Sequence, residues 1–336
     1  MSNLEQVPAE QDCRTLPCLD ELQILEPRPV PLGGPRAMTV FRTLPQKQRS
    51  LIGAWCFLDH YGPDDVARTG GMRVPRHPHT GLQTVSWLFT GAIEHLDSAG
   101  FSATVRPGEV NLMTAGQGIS HSEFLSEDTT VLHGAQLWIA LPDRTRFMPP
   151  TFENYRPEPL HGPGYSLRVF LGTLGTQGHS STSPVQTHTE VSGAELWLEP
   201  HAELNIDVPA HHEHGVLVDA GTPQVQGQQL AHRELGFIPA GASSLHLRAG
   251  AEPVRALLIG GEPLNEQILM WWNFVGRTHE EVIAYRAQWQ AEIGAEPGMV
   301  QGEQFGPFPP DTPAPLPAPE LPTVRLRPRP NPGDQR

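Results

Sequence analysis

The chain has 336 residues, 38% of them apolar, with 36 prolines and a formal charge of −14. That length suits two domains of ordinary size, while the modest apolar share and abundant proline predict that part of the chain stays outside any packed core. The acidic balance argues against direct nucleic-acid binding, which rests on Lys and Arg neutralising phosphates, and no run of about eighteen apolar residues offers a membrane span.

Residues 1–27 read as a loosely held arm. It lacks the basic and apolar regions of a secretory signal. Cys13, Cys18 and Cys56 are an odd, sparse set that suits the reducing cytoplasm. Cys13 and Cys18 have no second Cys or His pair nearby at zinc-site spacing, so no site is assigned to them.

From residue 28 to 175, short strand-like runs follow one another: 37–42, 54–58, 84–89, 131–141 and 165–171, with Gly, Pro and Asp in the gaps. Such spacing predicts an all-β sandwich or barrel. A polar stretch at 175–184 reads as a loop. A second domain over 185–295 repeats the texture, with strands at 194–198, 202–208, 215–218, 235–238 and 256–259.

One helix is legible near its end. Thr278 and Glu281 form a capping box, Val282, Tyr285, Trp289 and Ile293 share a face, and Gly294 stops it. The helix is expected to lie across a barrel as packing. Residues 301–336, with proline at nearly alternate positions, read as a disordered tail.

Chemistry concentrates between residues 70 and 123. His77 and His79 are two apart, as are His121 and Glu123. On strands each pair would present both side chains to one face, and neighbouring strands would converge them on one metal ion. Pro78 fits such a strand only where a ladder bond is dispensable, and Gly116 and Gly118 permit a sharp turn before the second pair.

His77-Pro78-His79, Arg106-Pro107-Gly108 and the run from Met113 to Glu123 resemble the pirin family. So do the segments 57–62, Gln136-Leu137-Trp138 and 261–265, the likeness extending over roughly 28–295. The resemblance implies a bicupin, two face-to-face β-sandwich barrels with one metal in the N-terminal barrel, and it places the ligands on His77, His79, His121 and Glu123. The general cupin pattern has Glu four residues after the second His. Here that residue is Gln83, which is expected to hydrogen-bond beside the metal pocket.

Three imidazoles and one carboxylate would leave a divalent ion with open positions, as in non-haem iron oxygenases. Iron is the expected ion, and manganese, nickel, cobalt or copper would fit the same ligands. The family implies quercetin 2,3-dioxygenase-like activity, with a flavonol-like aromatic and dioxygen as substrates and Glu123 as ligand and general base. Trp87 and Phe124 would wall the substrate or serve as plain core. The alternative is a non-enzymatic, metal-dependent regulator that binds a protein partner. His212 and His214 could share a strand face, with His232 and His246 as unpaired further candidates, but no matching pair follows on a return strand, so a second metal is not expected.

Overall fold

The computed structural model describes residues 22–32, 38–296 and 303–327. Tyr165–Leu171 buries Tyr165, Leu167 and Val169 while Ser166 and Arg168 are less covered, the period of a strand with one face on a core. Leu82–Thr90 and Val131–Ala140 are buried almost throughout, as central strands covered on both faces must be.

These strands build two barrels. In the first, a seven-stranded sheet runs in the order Thr151–Tyr155, Val110–Thr114, Leu82–Thr90, Val131–Ala140, Trp55–Asp65, Met38–Leu44, Arg28–Leu32. Its partner has four strands, Arg73–His79, Ile119–Leu125, Ile93–Asp97 and Ser102–Val105. Val40, Tyr61 and Leu88 from one sheet meet Val74, Ile93 and Val105 from the other. The second barrel packs Leu196, Val216 and Leu258 against Leu204, Ile206 and Leu247 in the same manner. The two seven-stranded sheets then pack on each other through Leu58, Val85 and Leu137 against Leu217, Leu257 and Ile259. Trp55 Nε1 crosses that junction to donate to the Gly260 carbonyl at 3.0 Å. An all-β architecture of two facing barrels with a C-terminal helix is therefore present.

Three boundaries differ from the sequence expectation. Leu160–Gly162 and Tyr165–Leu171 pair into the second barrel's sheet, so the division falls between Tyr155 and Leu160 rather than after residue 175. The expected loop at 175–184 contains a hairpin, Thr173–Thr176 with His179–Thr182, whose turn residues Gln177 and Gly178 have φ of 51° and 78°. Both central residues at positive φ suit the twist of a two-residue hairpin. Gln23–Leu25, expected in a loose arm, pairs with Leu235–Ile238 of the second barrel; Cys13 and Cys18 lie outside the described residues.

The helix spans His279–Glu292, and Thr278 Oγ1 accepts from Glu281 N as the capping box requires. Glu281 reaches back to Arg277 N at 2.7 Å, one residue earlier than Thr278. Val282, Tyr285 and Trp289 are its buried aromatic and aliphatic face.

The expected disordered tail is corrected for residues 303–327, which dock on that helix; 328–336 lie outside the described residues. Proline removes ladder donors, but side chains substitute for a ladder. Glu292 accepts from Phe305 N at 3.0 Å, Gln290 from Ala318 N at 2.7 Å, and Trp289 Nε1 donates to Leu316 O at 2.8 Å. Phe305, Ala318 and Leu326 are buried in the cluster around Trp289. Arg76 also donates to Gly306 O at 2.6 Å and Ser120 Oγ to Phe305 O at 2.7 Å. The segment therefore straps both strands that carry the histidine pairs. Burial of Phe305 alone contributes roughly 1.5–3 kcal/mol. Truncation after residue 302 is expected to lower the melting temperature by several degrees (~2–4 °C per kcal/mol for a cooperative unit the size of one barrel); an unchanged melting curve would show that the docking adds nothing.

Candidate metal centre

The ligand-bearing strands Arg73–His79 and Ile119–Leu125 are antiparallel neighbours, with His121 directly opposite His77. On the other side of Ile119–Leu125, His121 pairs with Asp97 and Glu123 with His95. Residues directly opposite share a face, so one patch of the first barrel's interior gathers His77, His79, His95, Asp97, His121 and Glu123. The ring centroids of His77, His79 and His121 lie 4.3–5.1 Å apart. All three rings and Glu123 are at most 1% exposed.

Hydrogen bonds set the tautomers. His77 Nδ1 donates to Pro75 O at 2.8 Å and His79 Nδ1 to Asn273 O at 3.2 Å. His95 Nε2 lies 3.0 Å from Asp97, so it carries the proton there and its Nδ1 accepts from His121 Nδ1 at 3.4 Å. Each of the three rings thus turns a bare Nε2 inward. His77 Nε2 has no hydrogen-bond partner, and the Nε2 atoms of His79 and His121 face each other at 3.1 Å. Two lone pairs at that distance repel unless a cation lies between them. Bonds of ~2.0–2.1 Å to one ion would separate such ligand atoms by about this much, so the donor set fits a metal. Burial lowers His77 to about 4, and burial followed by neighbouring imidazoles holds His79 and His121 well below their ordinary range. Neutral rings at pH 7 are what a metal needs.

The four expected residues do not form one compact group in this structure. The donor atoms of His77, His79 and His121 lie within 4.8 Å of one another, while Glu123 falls within that distance together with His121 and His95. The sequence reading missed His95 and Asp97, although their two-residue spacing was the available signal. Asp97 fixes the His95 proton and accepts from Ala99 N and Phe101 N at 2.9 and 3.0 Å, anchoring the turn that follows. Asp97→Asn is expected to weaken metal binding ~10–100-fold through the loosened His95–His121 contact, measured by titration of metal-free protein. Unchanged affinity would remove Asp97 from the site.

Aromatic side chains surround the histidines. Trp138 lies edge-on to His79 at 5.2 Å and stacks on Phe57 at 4.1 Å, and Phe152 stacks on His95 at 4.7 Å. Trp87, expected as a possible wall, faces the other way. It stacks on Phe170 at 4.6 Å between the barrels and donates to Glu195. Phe124 is half-buried and lies opposite Glu94 and Arg73, alternating away from the inward Glu123. Gln83 also faces the barrel junction, where its amide donates to Thr114 Oγ1 at 2.9 Å and Gln186 O at 3.2 Å. The expectation that it hydrogen-bonds beside the metal pocket is corrected: the chain crosses from one sheet to the other at Thr80–Gly81, so spacing from His79 no longer fixes its face. Tyr61, Asn111, Gln136 and Trp138 do face the interior, and Tyr61 Oη, Asn111 Nδ2, Gln136 Nε2 and Trp138 Nε1 are buried donors without partners.

Two facing barrels with a buried His/Glu cluster in the first define a bicupin. The Pirin family profile matches residues 36–139 and the Pirin C-terminal cupin domain profile residues 193–293. A Pseudomonas aeruginosa protein named "Putative quercetin 2,3-dioxygenase PA1205" is 38% identical over 293 residues, 86% of this chain and 91% of that protein. A pirin-like protein of Caulobacter vibrioides is 31% identical over 80% of this chain and 94% of its own length. The crystal structure of quercetin 2,3-dioxygenase from Acinetobacter baumannii superposes with a TM-score of 0.81 and 37% identity, covering 91% of this chain and 97% of that one. The chain belongs to the pirin family.

Proposed function

We propose that the first barrel holds one divalent ion, ferrous iron, on His77, His79, His121 and Glu123, and that the protein opens a flavonol of the quercetin type with dioxygen, releasing carbon monoxide. The observation that carries this reading is the convergence of three bare, buried Nε2 atoms beside a buried carboxylate. The likeness to proteins named as quercetin 2,3-dioxygenases supports the choice of substrate.

When bound, the ion supplies Lewis acidity and a redox centre with open coordination positions. Glu123 takes the proton of the flavonol hydroxyl as general base. Burial, followed by the nearby Glu123 and Asp59 carboxylates, keeps the Tyr61 hydroxyl protonated, so it stays a donor for a substrate oxygen. Gln136 and Asn111 offer further unpartnered N–H donors to a flat, oxygen-rich ligand. Trp138, Phe57 and Phe152 exclude water and give the rings a surface to stack on.

The test is oxygen uptake by iron-loaded protein with quercetin. One carbon monoxide released per dioxygen consumed is the expected result. No uptake with any flavonol across several loaded metals would overturn the dioxygenase reading and leave regulation of a protein partner in its place.

A further inference from the structure

We propose a second divalent-cation site at the mouth of the C-terminal barrel, built from Glu190, His211 and His212 and suited to a borderline ion of the zinc type.

The backbone brings these residues to one level. Val191 and Glu213 both pair with Gly261 on the strand between them, so Glu190 and His212 leave the sheet side by side. Glu262 N donates to Glu190 O at 3.0 Å and fixes the same edge. His212 sits in a turn closed by its own N–H on Pro209 O at 3.0 Å. Its ring is packed edge-on against His211 at 4.5 Å, and His212 is only 5% exposed.

His211 Nε2 and His212 Nε2 lie 3.0 and 3.3 Å from the same Glu190 oxygen, and the three ligand atoms fall within 4.8 Å of one another. Bonds of ~2.0–2.1 Å in a tetrahedral shell separate neighbouring ligands by about 3.3 Å. The spacing matches, and two imidazoles with one carboxylate and a water in the fourth position are a common zinc donor set. Glu262 stands nearby as a further carboxylate.

A second His–carboxylate cluster lies between the two barrels. His60 and His133 both approach Asp219 Oδ1 at 2.6 Å, the distance of a short ion pair. Arg255 pairs with the same carboxylate and contacts His133 Nδ1, supplying the positive charge. That junction carries its own cation, while His60 Nδ1 and His133 Nε2 lack a well-aligned hydrogen bond. Glu190, His211 and His212 have no such cation paired with them among the described residues.

Polar groups behind the site are also unsatisfied. His214 is fully buried and reaches the Pro209 backbone without a well-aligned hydrogen bond, and His212 Nδ1 and Ser192 Oγ have no partner among the described residues. Ser192 and His214 both pair with Gly260 and so face the barrel interior together. Such groups suit ordered water, which would orient His212 from behind. Sequence spacing paired His212 with His214 and offered His232 and His246 as further candidates. In the fold His212 joins His211, and the third ligand comes from Glu190, more than twenty residues earlier.

The experiment is zinc titration by calorimetry into the full-length His121→Ala protein, which disables the first barrel's site. Cys13→Ser and Cys18→Ser are included so that the arm thiols cannot compete. About one zinc equivalent is expected to bind, and adding Glu190→Gln with the exposed His211→Ala should weaken it ~10–100-fold with the melting temperature unchanged. Absence of zinc binding in the parent variant, or undiminished binding after both substitutions, would overturn the proposal. Neither outcome depends on the first barrel's reaction, since that site is disabled throughout.

Discussion

Glu123→Gln is expected to lower flavonol turnover by ~10²-fold or more while keeping a measurable share of the metal. The substitution preserves size and one donor oxygen in a position that is 1% exposed, so packing changes little. It removes the only function that a neutral amide cannot perform, taking a proton from the substrate hydroxyl. Turnover is to be expressed per bound ion, with metal content measured on the same sample. That separates loss of the base from loss of the ligand. Turnover per ion equal to that of the unmodified protein would remove Glu123 from proton transfer and leave it a ligand alone.

The metal-free protein is expected to lose stability as pH falls from about 6.5 towards 4. The sign follows from the buried rings: an exposed histidine in the unfolded chain takes up a proton near 6.5, whereas burial lowers His77 to about 4 in the fold. Between those values the unfolded state binds a proton that the folded state refuses, so unfolding gains. Above pH 7 both states are neutral and the contribution vanishes. His77 alone is worth roughly 3 kcal/mol over the full window. His79 and His121 act in the same direction. Burial raises Glu195 and Glu213, which act in the opposite sense. The histidine share is therefore read as the difference between the unmodified protein and His77→Gln in urea unfolding at pH 7.5, 6 and 5. A difference that does not change with pH would mean that the ring is solvated rather than buried.

Local periodicity made the strands, the capped helix and the two ligand pairs legible, because each depends on side chains two, three or four residues apart. His77 with His79 and His121 with Glu123 do share one interior face. What spacing could not supply was the register between strands and the path around turns. His95 joined the cluster only through pairing with Glu123. Gln83 and Trp87 lay on the far side of a sheet change. At that turn Gly81 adopts φ +67°, and a Cβ there would collide with the Val275 carbonyl oxygen, so a contact from nearly two hundred residues away shapes the crossing. The tail misled for a related reason: proline does prevent a ladder, but Glu292, Gln290 and Trp289 on the helix satisfy its backbone instead. Composition describes what a segment cannot pair with, not which side chains await it.

The most direct test of the metal centre is anaerobic titration of ferrous iron into metal-free protein, followed by the same titration into His77→Ala, His121→Ala and His212→Ala. The unmodified protein and His212→Ala are predicted to take up about one tight equivalent, because iron competes weakly for a zinc-type surface site. His77→Ala and His121→Ala should take up none. Tight, undiminished iron binding in His121→Ala would place the metal elsewhere and contradict the account.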